Sequence, residues 1–369
     1  DNYAAFGDAT FSATDRFRIS AGLRYTNETK TQDGYVTING VPFSNFAVYA
    51  PLGINCFQSN IAAKVAFNGY YMASNFCTIP NGGKYKDTNT SGKLGFEFDF
   101  ASDIMGYFTA RQGFRAGGLT AGTETSYKPE KLTAFELGLR SRYLGGRLQA
   151  NVSAFRWNYK DQQFSILQPY IVAGVKPAGV QTSYPFNVDG YINGAEVDLQ
   201  ARVLQNDRVH VDALWTRGKF DSIPTLVNSA GVQAALVNPD RHNLPTWTVN
   251  FGYDHKIPLA SGGNINMGFD GHNVGSVFLQ QVVPSALVPG ALRKAYTKWN
   301  LNLGYEAPND KWSISAFMLN VTNEAVVGPG SSGQVANGTF FKSTFNNANA
   351  RSATLDPPRT YGVRFTAGF

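Results

Sequence analysis

The sequence predicts an all-β fold, an antiparallel transmembrane β-barrel, and three observations lead there. Apolar residues recur at every second position over long stretches, the period of a strand with one greasy and one wet face. Short turns and long loops alternate along the chain. No apolar run reaches the roughly 18 residues that a membrane helix needs. Composition agrees. Charged residues are 16%, against roughly 25% in soluble proteins. Aromatic residues reach 14% and glycine accounts for 38 of 369 positions, yet mean hydropathy is −0.23, as expected when alternation dilutes the apolar positions.

The pattern is clearest in residues 130–161. Phe135, Leu137, Leu139 and Tyr143 share one face and Glu136, Gly138, Arg140 and Arg142 the other. Leu144-Gly145-Gly146 turns the chain, and Leu148, Ala150, Val152 and Ala154 then oppose Gln149, Asn151 and Ser153. Arms of about fourteen residues exceed the roughly five or six of globular strands and suit a tilted membrane strand.

The same reading runs through the chain. Strands are predicted over 2–13 and 16–31, joined at Thr14-Asp15, and over 89–101 and 105–114, joined at Ser102-Asp103. After the 130–161 hairpin come 190–203 and 208–220, joined at Gln205-Asn206-Asp207, then 245–256 and 264–276, joined near 259–263. Strands 293–307 and 311–321, joined at Pro308-Asn309-Asp310, precede a last strand over 359–369. Between these hairpins lie long loops over 32–87, 115–129, 161–189, 222–243, 277–292 and 323–357. The count is about thirteen strands in one domain, 1–369. An odd count, in a chain that opens in mid-pattern, predicts the C-terminal portion of a larger barrel.

The net charge of +6 does not point to nucleic acid, because the basic residues interleave with Glu97, Asp99, Glu136, Glu196 and Asp198 and form no basic block. Arg24, Arg140 and Arg202 fall on the same polar phase as those acids. All eight are expected to line the lumen wall, to pair with one another and to contact whatever fills the barrel. His210, His242, His255 and His272 have no partner at metal-ligand spacing, so no metal or cofactor is expected. His242, at a loop end in Asn238-Pro239-Asp240-Arg241-His242, is the best ligand contact among them. No nucleophile, base and acid combination stands out from the wall pattern, so no enzyme is expected. The glycines of Gly113-Phe114-Arg115-Ala116-Gly117-Gly118 precede no helix and read as a strand-end bend rather than a phosphate cradle.

Cys56 and Cys77 both fall in the 32–87 segment and are expected to form a loop-closing disulfide, with two free thiols the alternative. Tyr35, Phe46, Tyr49, Tyr70 and Tyr71 crowd aromatic surface into that segment. They offer rigid contact area to a ligand outside the cell, or form the loop's own small core around the cysteines.

Several stretches resemble one family. They are Tyr3-Ala4-Ala5-Phe6-Gly7, Thr14-Asp15-Arg16-Phe17-Arg18, Ala21-Gly22-Leu23-Arg24-Tyr25, Gly106-Tyr107-Phe108 with Gln112-Gly113-Phe114-Arg115-Ala116-Gly117-Gly118, Lys128-Pro129-Glu130 with Glu136-Leu137-Gly138, Asn158-Tyr159-Lys160-Asp161, Asn193-Gly194-Ala195-Glu196-Val197, Leu319-Asn320-Val321-Thr322-Asn323, and Pro358-Arg359-Thr360-Tyr361-Gly362 through Phe369. In order and spacing the chain resembles the TonB-dependent outer-membrane receptors. The resemblance implies a 22-stranded barrel plugged by an N-terminal domain, of which this chain carries neither plug nor TonB box. It further implies uptake of a ferric siderophore or related iron complex energised by TonB. Carbohydrate, cobalamin or haem uptake and a passive porin-like channel are the alternatives. The implied partners are the iron-chelate ligand, TonB, outer-membrane lipid with lipopolysaccharide, and the barrel-assembly machinery, which Phe369 would signal.

Overall fold

The computed structural model describes residues 1–33, 83–119, 126–169, 181–221, 244–278, 292–328 and 354–368, together with short strands between them. One antiparallel sheet of 13 strands dominates the described residues. Its strands are β1 (Asn2–Ser12), β2 (Phe17–Gln32), β3 (Gly83–Ala101), β4 (Ile104–Arg115), β5 (Glu130–Tyr143), β6 (Leu148–Pro169) and β7 (Gln181–Arg202). There follow β8 (Asp207–Phe220), β9 (Trp247–Pro258), β10 (Asn264–Val274), β11 (Tyr296–Glu306), β12 (Trp312–Leu319) and β13 (Thr360–Ala367). Each pairs with its neighbours in sequence, so the sheet is an uninterrupted meander. That topology lets local hairpins satisfy every internal strand's backbone hydrogen bonds in a medium without water.

The register propagates one phase across the whole sheet. Arg18 lies opposite Glu97, Glu97 opposite Tyr107, Tyr107 opposite Gly138, Gly138 opposite Ser153, and Ser153 opposite Glu196. All therefore project from the same face. The other face carries Leu23, Leu94, Leu137, Val152, Val197, Val211, Phe269, Leu303 and Val363. Leu23, Leu137, Leu303 and Val363 stay 64%, 63%, 54% and 69% exposed. Apolar side chains left open over an entire sheet face fit contact with lipid. Aromatic residues bracket this band, with Tyr25, Trp215, Trp247 and Trp299 toward the long connections and Tyr143, Tyr253, Tyr305 and Trp312 toward the short turns. Such paired belts mark the two membrane–water interfaces.

The short turns are built as their residues require. Leu144, Gly145 and Gly146 take φ of 56°, 61° and 82°, and the Gly146 amide donates to the Tyr143 carbonyl. Two glycines make most of this left-handed run cheap, while Leu144 accepts strain there. Asn309 (φ 59°) and Gly262 (φ 83°) serve two other turns.

The structure extends the predicted strands where alternation fails. Residues 161–189 read as a loop, yet β6 and β7 run to 22 residues each, roughly 70 Å of strand at about 3.3 Å per residue. A bulge between Tyr159 and Gln162, with Asp161 at φ 54°, shifts the phase and hides the continuation. Likewise β3 begins at Gly83 rather than 89, through Lys84, Tyr85, Lys86 and Asp87. Tyr85, Asp87 and Asn89 lie on a partly covered face and Lys84 and Lys86 on an exposed one, but both faces carry mainly polar residues, so no apolar alternation remains to read. Within 32–87, where a loop was predicted, the strands Tyr35–Asn39, Phe76–Pro80 and Asn55–Phe57 form a three-stranded sheet.

That small sheet sets Cys56 directly opposite Cys77. Opposed residues of an antiparallel pair have Cα atoms about 4.5–5.5 Å apart, a spacing that suits a disulfide. Alkylation without reductant should therefore label neither thiol, and modification of both by mass spectrometry would reject the bridge. A second expectation concerns the tightest turn. Gly145→Val should lower stability by about 1–2 kcal/mol, the usual cost of a side chain at such a φ, which urea unfolding would measure.

Candidate functional site

The polar face is the surface with chemistry to offer. Arg18 on β2 donates from Nε to Glu97 at 2.9 Å and from Nη1 and Nη2 to Asp99 at 2.6 and 2.9 Å, tying β2 to β3 through one guanidinium. Its planar fork satisfies two carboxylates that would otherwise repel across two residues of one strand. Next along the sheet, the Tyr107 hydroxyl donates to Glu136 at 2.7 Å, and the Arg140 guanidinium lies 5.1 Å from the Tyr107 ring centroid. Asn151 donates to Asp198 at 3.4 Å. Tyr107, Arg140, Asn151, Ser153, Glu196 and Asp198 line an open depression of about 560 Å³.

Of the eight wall charges predicted from the sequence, the structure gathers Arg140, Glu196 and Asp198 around this depression, with Glu136 bonded to Tyr107 on its edge. Glu97 and Asp99 share Arg18. Arg24 stands apart, with Nε on the Thr26 hydroxyl at 3.3 Å and its guanidinium 5.6 Å from the Phe6 ring centroid. Arg202 lines a separate depression near the short turns with Asp207, His255 and Lys256. Pairing thus runs through Arg18 and Tyr107, which the sequence reading did not single out. Their phase was legible, but which of several same-phase neighbours they meet depends on register.

Nearer the long connections the polar face becomes apolar. Phe155 stacks on Trp157 at 4.7 Å between ring centroids, and Phe164 meets Phe220 edge-on at 5.1 Å. Phe155, Val188, Ile192 and Phe220 are buried. Gly194 lies beneath Phe155 and Gly138 beneath Tyr107, each too close to the ring for a side chain. An aromatic ring laid over a cross-strand glycine fills the sheet surface that the glycine leaves bare. Beside this cluster, Gln163 donates to the carbonyls of Ala116 and Lys128, both at 3.0 Å, and Asn187 to those of Lys128 and Asp161 at 3.1 and 2.7 Å. These amides pin the 116–128 connection to the extended β6–β7 hairpin. Gly117 packs under the Tyr85 hydroxyl and the Tyr127 carbonyl, so the predicted bend owes its glycine to close approach.

The turn after β12 is equally specific. Asn320 (φ 51°) and Asn323 (φ 56°) both adopt the left-handed conformation that asparagine tolerates. The buried Asn320 side chain accepts from the Glu324 amide at 2.8 Å and donates to the carbonyls of Glu324 at 2.9 Å and Pro357 at 3.3 Å. Asn323 accepts from the Arg359 amide at 2.9 Å, at the entry to β13. Phe46, Tyr49, His242 and Phe369 lie outside the described residues, as do the side chains of Tyr35, Tyr70, Tyr71, Cys56 and Cys77.

Residues 1–323 match the family of TonB dependent receptor-like β-barrels. The chain belongs to that family, whose members are outer-membrane transport receptors. Among solved structures it resembles the ferric yersiniabactin uptake receptor FyuA from Yersinia pestis, with a TM-score of 0.66 and 17% identity over 99% of this chain and 45% of that one. It also resembles the copper transporter OprC (TM-score 0.60, 18% identity, 99% and 47%) and the ferric-catecholate import receptor Fiu from K12 E. coli (0.62, 14%, 99% and 44%). The chain spans less than half the length of these neighbours.

The Arg18 fork makes a prediction of its own. Arg18→Ala strips Glu97 and Asp99 of the guanidinium they share, with Arg16 still acting on Asp99, so thermal unfolding should begin at lower temperature in low salt. The gap to wild type should narrow at about 1 M salt, where exposed charges are screened within about 3 Å. A gap insensitive to salt would show that Arg18 acts through packing.

Proposed function

We propose that the chain is the C-terminal barrel portion of an outer-membrane receptor that takes up a ferric siderophore or related iron complex, energised through TonB. Family membership over residues 1–323 is the observation that carries this reading. The polar face would line the lumen, where Arg18, Glu97, Asp99, Glu136, Arg140, Glu196 and Asp198 present hydrogen-bonding groups to a plug domain. Contacts of this kind hold a plug while leaving it movable, because each bond broken is replaced by one to water at modest net cost. The aromatic segment with Tyr35, Phe46, Tyr49, Tyr70 and Tyr71, together with His242, would meet the iron complex outside the cell. The siderophore and catecholate receptors among the neighbouring folds support iron as cargo.

A deletion strain grown on single ferric chelates tests the proposal. Growth should fail on one chelate and recover with the intact gene, and loss of TonB should reproduce the defect. Uptake that persists without TonB and rises linearly with external concentration would point to a passive channel instead. Assembly offers an independent check. Removing Phe369 costs one interfacial aromatic, so a sharp fall in folded surface protein with an unchanged melting temperature would mark it as a signal to the barrel-assembly machinery. Wild-type amounts would make it ordinary lipid-facing surface.

A further inference from the structure

The inward face changes sign along its length. On β4 the outward positions run Phe108, Ala110 and Gln112, so the apolar band ends near 110, and Arg111 and Arg115 on the inward face lie at and beyond its outer edge. Lys93 on β3 faces Arg111 across the register. Through the middle of the band the same face is acidic, where one guanidinium, that of Arg18, serves both Glu97 and Asp99, and Asp198 lies directly opposite Asp212. An anion is therefore favoured at the outer mouth of the wall and disfavoured below it, and low-dielectric walls sharpen that difference.

The acids near this mouth are already engaged. Glu130, opposite Arg115, accepts instead from the Gln163 amide at 2.9 Å, and Asp8 pairs with Lys93. Further out Glu28 lies opposite Asp87, with Lys30 at 3.7 Å from Glu28 and Asn89 donating to Asp87 at 2.7 Å. Arg111 and Arg115 are exposed, and among the described residues neither has a side-chain hydrogen bond or ion pair. Between them on the same strand face is Gly113, with open space above it for 4 Å. Ala134 lies between Arg111 and Trp157 in one cross-strand row, and Trp157 stacks on Phe155. Two strand spacings, about 10 Å, thus separate the backbones bearing Arg111 and Trp157, with only a methyl group projecting between them. The result is a recess with cations on one side, an aromatic wall on the other and small residues on its floor.

We propose that Arg111 and Arg115 select the cargo by charge: the complex held at this mouth is a net anion that seats over Gly113 and Ala134 and lays its organic edge on Trp157. Guanidinium forks with their N–H donors free match the charged oxygens of carboxylate or catecholate groups. A neutral complex draws no such gain from them, and a cationic one is repelled. The acidic middle of the wall keeps the anion at the mouth. The inference rests on the reading of the chain as part of an iron-complex receptor and adds to it the charge class of the complex and the two residues that set it.

The test uses the full receptor in the outer membrane of a host that lacks TonB and other iron receptors, so that radiolabelled iron is bound without being transported. The probes are ferric complexes of graded charge: an anionic tris-catecholate, an anionic hydroxycarboxylate, a neutral trihydroxamate and a cationic trihydroxamate. Those that bind should be anionic, and their affinity should fall at least about tenfold between low salt and about 0.5 M salt, where charges are screened. Arg111→Gln with Arg115→Gln should weaken binding at least about tenfold while keeping the heat-modifiable gel mobility of a folded barrel, and Arg111→Lys with Arg115→Lys should stay within about fivefold of wild type. Lys131→Gln with Arg217→Gln removes the same charge from the outward face and should bind as wild type does. Preference for a neutral or cationic complex, affinity indifferent to salt, unweakened binding by the folded Gln pair, or an outward variant as weak as that pair would each overturn the assignment. A wild-type receptor that reaches the outer membrane and binds no ferric complex of any charge would instead overturn the reading beneath it.

Discussion

The constraint on which the structure depends is that a backbone in lipid finds no water to bond. Every amide and carbonyl inside the sheet must pair with a neighbouring strand, which forces the meander. Once that pairing is fixed, side-chain direction follows with a period of two and without local choice. A one-residue slip at β5 would carry Leu137 and Leu139 to the wet face and Glu136 and Arg140 into lipid. The register is therefore held by the two solvents on its two faces as much as by any turn. The Arg18 fork and the Tyr107–Glu136 bond join strands already placed by that segregation.

This explains which parts of the fold were legible. Strands whose faces meet lipid and water announce themselves, so the thirteen-strand count and every short turn could be read from alternation and turn residues. Beyond the apolar band the signal fails for a physical reason. At residues 84–88 polar residues occupy both faces, and past Tyr159 the Asp161 bulge reverses the phase, so real strands look like loops. The polar face was legible as a set of residues but not as a set of contacts. Glu97 and Asp99 could be assigned to the polar phase, but their common partner, Arg18, lies across a register that spacing alone does not give.

Glycine shows the same division. At Gly145 and Gly146 the backbone needs a positive φ, and the sequence already suggests it. Gly138 and Gly194 have no such φ and sit mid-strand, where glycine ordinarily weakens a sheet. Only the structure supplies their reason, the rings of Tyr107 and Phe155 lying across them from the neighbouring strand. A side chain at either site would displace a ring, and at Gly138 that ring also carries the hydroxyl bonded to Glu136 and the face beneath Arg140. A glycine without chemistry of its own thus positions two wall charges.

The apolar band also separates two kinds of information. Inside it, physics allows few sequences and most residues report on the fold. Above it the constraint relaxes, the inward surface turns aromatic at Phe155, Trp157 and Phe220, and the outward surface turns basic at Arg156 and Arg217. This reversal of polarity along a continuous strand cannot come from the hydrophobic effect of the bilayer, which favours the opposite arrangement below it. It marks the level at which β6, β7 and β8 stop serving as membrane wall and start serving as a scaffold in water, where aromatic surface gathers inward and charge faces outward as in a soluble protein. Where the alternating constraint lapses, so does the pattern by which a sequence reveals its strands.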